Sequence, residues 1–115
     1  MSKINSRAKG ADGERELAKF LTNHGFKARR GQQFSGIEGR DVVCESLPIH
    51  IECKRVEKFK LYDALEQAER DTAGEMPVVF HRRNRNKWVC ILDAEDLLSL
   101  FSSLSLQVCD DYSTD

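Results

Sequence analysis

The sequence predicts an α/β fold, a mixed β-sheet with helices against it, in the order α-β-β-β-α-β-β-α. Three observations carry this. Apolar residues recur at helical spacing around 17–21, 61–68 and 97–104. Two apolar runs, 40–43 and 49–54, flank the polar, proline-containing break 45–48, as in a β-hairpin. A second pair of apolar runs, 76–81 and 88–92, flanks a basic turn.

Residues 1–8 are polar, carry Lys3 and Arg7, lack an apolar period, and read as a flexible basic arm before a single folded unit over 9–106. After Gly10-Ala11-Asp12-Gly13 a helix is expected from Glu14, with Leu17, Ala18 and Leu21 as its inner face and Gly25 as its stop. Its phase turns Glu14 inward and Glu16 outward. Glu14 is then either a first-turn acid favoured by the helix dipole or a functional carboxylate. Residues 26–30 alternate apolar with basic, as a strand with one wet face does, and the glycine-rich 31–40 forms a loop leading into Asp41. The hairpin follows.

Along 49–54, His50, Glu52 and Lys54 share one face, while Ile49, Ile51 and Cys53 share the other. Folding about 46–48 brings Asp41 across from Cys53 or Lys54, within a residue of Glu52. A one-residue slip would reverse that face. His50 lies toward the turn and is expected at the surface. The basic connector 55–60 leads to a helix whose stripe is Leu61, Ala64, Leu65 and Ala68, ending near 72–74. Gln67 borders that stripe, either as a boundary residue or as one reaching the sheet. After the strand 76–81 and the turn 82–87, the strand 88–92 returns. The last helix starts with acids in its first turn and is apolar over a broad arc, to cover the sheet or to meet a second subunit. Residues 107–115 form an acidic tail expected to fray.

A chain of 115 residues is one domain. With 40% hydrophobic and 32% charged residues, its composition is that of an ordinary globular protein. No run approaches a membrane span and the start has no apolar signal core, so a cytoplasmic location is expected. The four cysteines lack C-x-x-C spacing and read as buried, reduced thiols rather than a zinc site or disulfide. The net charge of −1 hides an asymmetry: residues 1–90 hold all 18 bases against 13 acids, +5, whereas the last 25 hold six acids and no base. A basic body suits a polyanionic partner.

Two carboxylates and an ammonium on one sheet surface are costly unless a divalent cation or a phosphate joins them. Mg²⁺ takes one or two carboxylates, here Asp41 and Glu52. The Cys53 backbone carbonyl can add an oxygen, and Glu14 another directly or through water. Lys54 would orient a water and offset charge in the transition state. The chemistry expected is metal-assisted phosphodiester hydrolysis.

Asp41 followed by Glu52-Cys53-Lys54 on the next strand resembles the PD-(D/E)xK nuclease superfamily, with its restriction-endonuclease-like fold. Lys9-Gly10, then Glu14-Arg15-Glu16-Leu17, Gly25-Phe26 and Arg29-Arg30 resemble the archaeal-type Holliday-junction resolvases within it. The resemblance runs over roughly residues 7–92; Gly39-Arg40 stands where the motif has its proline. It implies that Glu14, Asp41 and Glu52 are metal ligands for Mg²⁺ (or Mn²⁺) and that Lys54 is the catalytic lysine. Ser35 would lie near the scissile phosphate, and Gln67 matches a glutamine on the following helix. Arg7, Lys9, Arg15, Arg29 and Arg30 would contact DNA, and Arg40, Arg55 and Lys58 are expected to join them. The expected function is a structure-selective DNA endonuclease acting on four-way junctions as a homodimer. The alternatives are a same-fold nuclease of recombination, repair or restriction without junction preference, and a non-catalytic DNA-binding protein.

Overall fold

The structure is a computed structural model that describes residues 6–31 and 41–112, with side chains over 10–31 and 41–104. Its elements are α1 (Ser6–Asn23), β1 (Arg29–Arg30), β2 (Val42–Val43), β3 (Ile49–Lys54), α2 (Leu61–Asp71), β4 (Met76–His81), β5 (Val89–Ile91) and α3 (Ala94–Tyr112). This is the expected order, in a mixed sheet arranged β1-β2-β3-β4-β5. β1, β2 and β3 are antiparallel neighbours. β3 and β4 run parallel, joined by α2, and β5 returns antiparallel to β4. A parallel pair needs a crossover, which 55–75 supplies.

Alternation along β3 sends its two faces into two cores. Ile51 and Val42 pack with Leu17, Ala18 and Leu21 of α1, and Ile49 and Cys53 adjoin them. Val79 of β4 packs with Ala64, Leu65 and Ala68 of α2. With a strand on each side and a helix on each face, β3 is the most enclosed strand among the described residues. Val42 pairs with Ile51, and this register carried one residue further sets Asp41 opposite Glu52. The ends of β1, β3 and β4 and the start of β2 therefore meet at one edge.

Several expectations change. α1 starts at Ser6, not Glu14, so Glu14 sits in mid-helix and the dipole argument for it falls away. Gly10 and Gly13 hid that start, being weak helix formers. Gly13 is required by a close approach: a Cβ there would lie 2.5 Å from Arg55 Cβ. Glu16 does not point freely outward; it pairs with Arg55 at 3.2 Å and with Arg82. The strand expected over 26–30 is only Arg29–Arg30. Among the described residues Cys44, Cys53 and Cys90 are free thiols, but only Cys44 is buried and Cys90 is exposed. α3 extends to Tyr112, into the stretch read as a tail. It does not cover the sheet: among the described residues it packs substantially on no other element. Leu97, Leu98, Leu100, Phe101 and Leu104 are all exposed. No described helix is long and apolar enough to cross a membrane.

Candidate active site

The meeting of strand ends gathers the predicted acids. Asp41 is fixed first: its Oδ2 accepts the Cys53 backbone N–H at 2.9 Å, and its carbonyl accepts Gly31 N–H at 2.9 Å. A strand residue's N–H and C=O leave toward the same side. The Cys53 carbonyl is thus directed to the Asp41 edge.

Glu52 follows on β3, 1% exposed. His50 Nε2 lies 3.0 Å from Glu52 Oε1, so with its proton on that nitrogen the imidazole donates to the carboxyl. Asp41 and Asp71 also hydrogen-bond Glu52. Burial first, then the charge of Asp41 and these carboxyl contacts, push the Glu52 pKa up to about 9. A carboxyl removed from water with acids as neighbours keeps its proton and donates it. His50 was expected at the surface and is 1% exposed. Its face of β3 lies under α2, where a buried polar group needs a partner, and Glu52 supplies it.

Glu14 arrives from α1 with its side chain 13% exposed and accepts Arg30 Nε at 2.8 Å. Burial raises its pKa and Asp41 adds to the rise, while the Arg30 hydrogen bond lowers it. The predicted inward phase is thus observed, with an arginine attached. Cys53, among the same acids, has its thiol pushed up, by burial first and then by Asp41 and Glu14.

Lys54 Nζ donates to Gln67 Oε1 at 2.9 Å, so Gln67 does reach the sheet. Beside the pair opens a cleft of about 250 Å³, lined also by Lys58, Phe59 and Lys60. Phe59 stacks on His81 at 4.0 Å, and His81 pairs in register with Lys54. Among the described residues, no group of three His, Cys, Asp or Glu is already arranged to hold a metal ion.

The remaining site residues divide. Ser35 and Arg40, and the side chains of Arg7 and Lys9, lie outside the described residues. Arg29 is exposed, Arg30 serves Glu14, and Arg15 pairs with Asp12 at 3.0 Å in solvent. Arg55 is engaged by Glu16, Glu57 and Asn84, so its guanidinium is already occupied within the chain. Asp71 was missed by sequence reasoning, although a signal existed. It follows Ala68 by three and Gln67 by four, which sets it beside the buried stripe of α2.

The five-strand mixed sheet flanked by helices is consistent with a restriction-endonuclease-like fold. A family model described as "Phage putative PDDEXK endonuclease" matches residues 5–113, nearly the whole chain. The chain belongs to that endonuclease family. No curated protein matches it.

Proposed function

We propose that the chain is a divalent-cation-dependent DNA endonuclease whose site is Glu14, Asp41, Glu52 and Lys54. The observation that carries this is the β2–β3 register: it sets Asp41 opposite Glu52, with Lys54 two residues on and held by Gln67. The donor set fits Mg²⁺ or Mn²⁺. It offers carboxylate oxygens from Asp41 and Glu52, the Cys53 carbonyl beside them, and Glu14 at the margin. Acids crowded enough to hold Glu52 protonated create a demand for positive charge that a cation meets. When bound, the metal supplies polarisation of a phosphoryl oxygen, stabilisation of the leaving oxygen and a lowered pKa for water.

The chain's own residues do the rest. Asp41, fixed by Cys53 N–H, and Glu52, steered by His50, present their oxygens in a set geometry. Lys54, held by Gln67, orients the attacking water and offsets the charge that develops on the phosphate. Ser35 takes, from the family resemblance alone, a role at the scissile phosphate. Arg7, Lys9, Arg15, Arg29, Arg30, Arg40 and Lys58 hold the backbone, whose shape rather than base sequence is read.

Branched DNA, above all the four-way junction, is the proposed substrate, with a homodimer supplying two equivalent sites for paired cuts. α3 supports the dimer. Leu97, Phe101 and Leu104 follow the alternating spacing of a coiled-coil seam, and all three are exposed. An isolated helix of this kind needs tertiary packing. The deciding experiment compares cleavage of a junction, a fork and plain duplex by the purified protein with Mg²⁺. Symmetric paired cuts confined to the junction are expected. Equal cutting of all three would leave a nuclease without junction preference, and no cutting would leave a DNA-binding protein.

A further inference from the structure

The turn 82–87 between β4 and β5 holds four bases in six residues: Arg82, Arg83, Arg85 and Lys87. It is tied to itself. Asn86 N–H donates to the Arg83 carbonyl at 3.1 Å and Asn86 Nδ2 to the Asn84 carbonyl at 2.9 Å, while Arg82 Nε donates to the Asn86 carbonyl at 2.5 Å. Arg85 takes φ 65°, a left-handed conformation that a non-glycine residue adopts at a cost of about 1 kcal/mol.

The turn is also anchored from behind. Arg82 N–H donates to the Lys54 carbonyl at 3.2 Å, and Asn84 N–H to Glu57 Oε2 at 2.8 Å. Arg55 Nη2 donates to Asn84 Oδ1 at 3.0 Å, and both Arg55 and Arg82 bind Glu16. The arginines therefore fall into two classes. Arg55 and Arg82 are spent on holding the turn. Arg83, Arg85 and Lys87 are exposed, and their side chains have no hydrogen-bond or ion-pair partner among the described residues. Three cations on a rigid turn repel one another and meet no counter-charge among the described residues; an anion relieves that cost.

The location identifies the anion. His81 pairs with Lys54, so the turn begins one residue beyond the level of Lys54 on the neighbouring strand, about 4.8 Å away. Arg29 and Arg30 stand at the same edge, on the far side of β2. We propose that Arg83, Arg85 and Lys87 are a preformed clamp for backbone phosphates, gripping DNA on the β4 side of the site. No aromatic side chain lies within 82–87, so the turn itself offers charge and not a stacking platform. This assignment rests on the nuclease reading and names residues that hold its substrate.

The test measures binding of a labelled duplex by the full chain, with Ca²⁺ replacing Mg²⁺, between roughly 50 and 200 mM salt. Wild type is compared with R83A/R85A/K87A. Loss of three phosphate contacts predicts a log–log salt slope shallower by about 2.7 and, near the low end of that range, affinity reduced by at least about tenfold. The charge-preserving R83K/R85K/K87R retains the wild-type slope. Should the triple alanine variant fail to fold, R83A and K87A singly each lower the slope by about 0.9. Wild-type slope and affinity in the alanine variants overturn the clamp, as does loss of the slope in the charge-preserving variant. Wild type is assayed for cleavage in parallel. If it neither binds nor cuts DNA, the nuclease reading itself falls; if it does both while the alanine variants bind unchanged, only the clamp falls.

Discussion

Glu52 and Glu14 flank the same aspartate, yet they are kept in place by opposite means. Glu52 lies on the innermost strand, 1% exposed, with an imidazole and two carboxyls for company. Glu14 reaches in from a helix, retains a little solvent, and is paired with Arg30 at 2.8 Å. Burial raises both, but only Glu14 has a cation of the chain pulling the other way. At Glu14 a cationic neighbour opposes the rise that burial causes. Glu52, buried among other acids, keeps its proton until positive charge arrives from outside.

Breaking the dry side of the comparison has the largest effect. E52Q or D41N should reduce Mg²⁺-dependent cleavage at least about 10³-fold while DNA affinity stays within a few fold; a mutant that cuts normally would show the acids misassigned. K54A should slow single-turnover cleavage of bound DNA by about 10²-fold. E14Q tests the wetter side and should cost less, about tenfold, and read out as weaker cation dependence.

The pH dependence of stability sharpens the contrast. In its folded state Glu52 holds a proton up to about 9, whereas an ordinary glutamate releases it near 4.5. Between those values the native state binds the extra proton, so stability without divalent cation falls as pH rises. The contribution is fully present below 4.5 and gone above 9. Thermal melts across that range should show the decline. Mg²⁺ should raise the wild-type Tm near pH 8, and E52Q should lose both effects. The smallest effect falls on G13A, whose Cβ would meet Arg55 Cβ: a loss of about 1–3 kcal/mol in denaturant unfolding. Unchanged stability would mean that α1 and Arg55 move apart freely.

Much of this was legible in the sequence because it rests on local periods. Alternation along 49–54 gave both faces of β3, and the helical stripe 61–68 gave α2, with Gln67 left open between a boundary residue and one reaching the sheet. What was not legible depends on tertiary neighbours. His50 reads as polar near a turn, and only the helix over its face makes it buried. Glu16 reads as outward, and only the return of the chain at Arg55 and Arg82, far along the sequence, gives it partners. The start of α1 was hidden by Gly10 and Gly13, and the value of Gly13 appears only once Arg55 passes against it. Asp71 was within reach of the same stripe that located Gln67, one turn further along the helix. The apolar arc of α3 was read correctly, but whether it met the sheet could not come from periodicity.

The Val42–Ile51 pairing makes the short connection 44–48 a parity device. Deleting or adding one residue there shifts the partner strand by one and turns Asp41 away from Glu52, with no change to either residue. Adding two restores the facing. Across natural variants of this chain, the connection should therefore change length in even steps, or the enzyme should fall silent while every acid remains in its sequence.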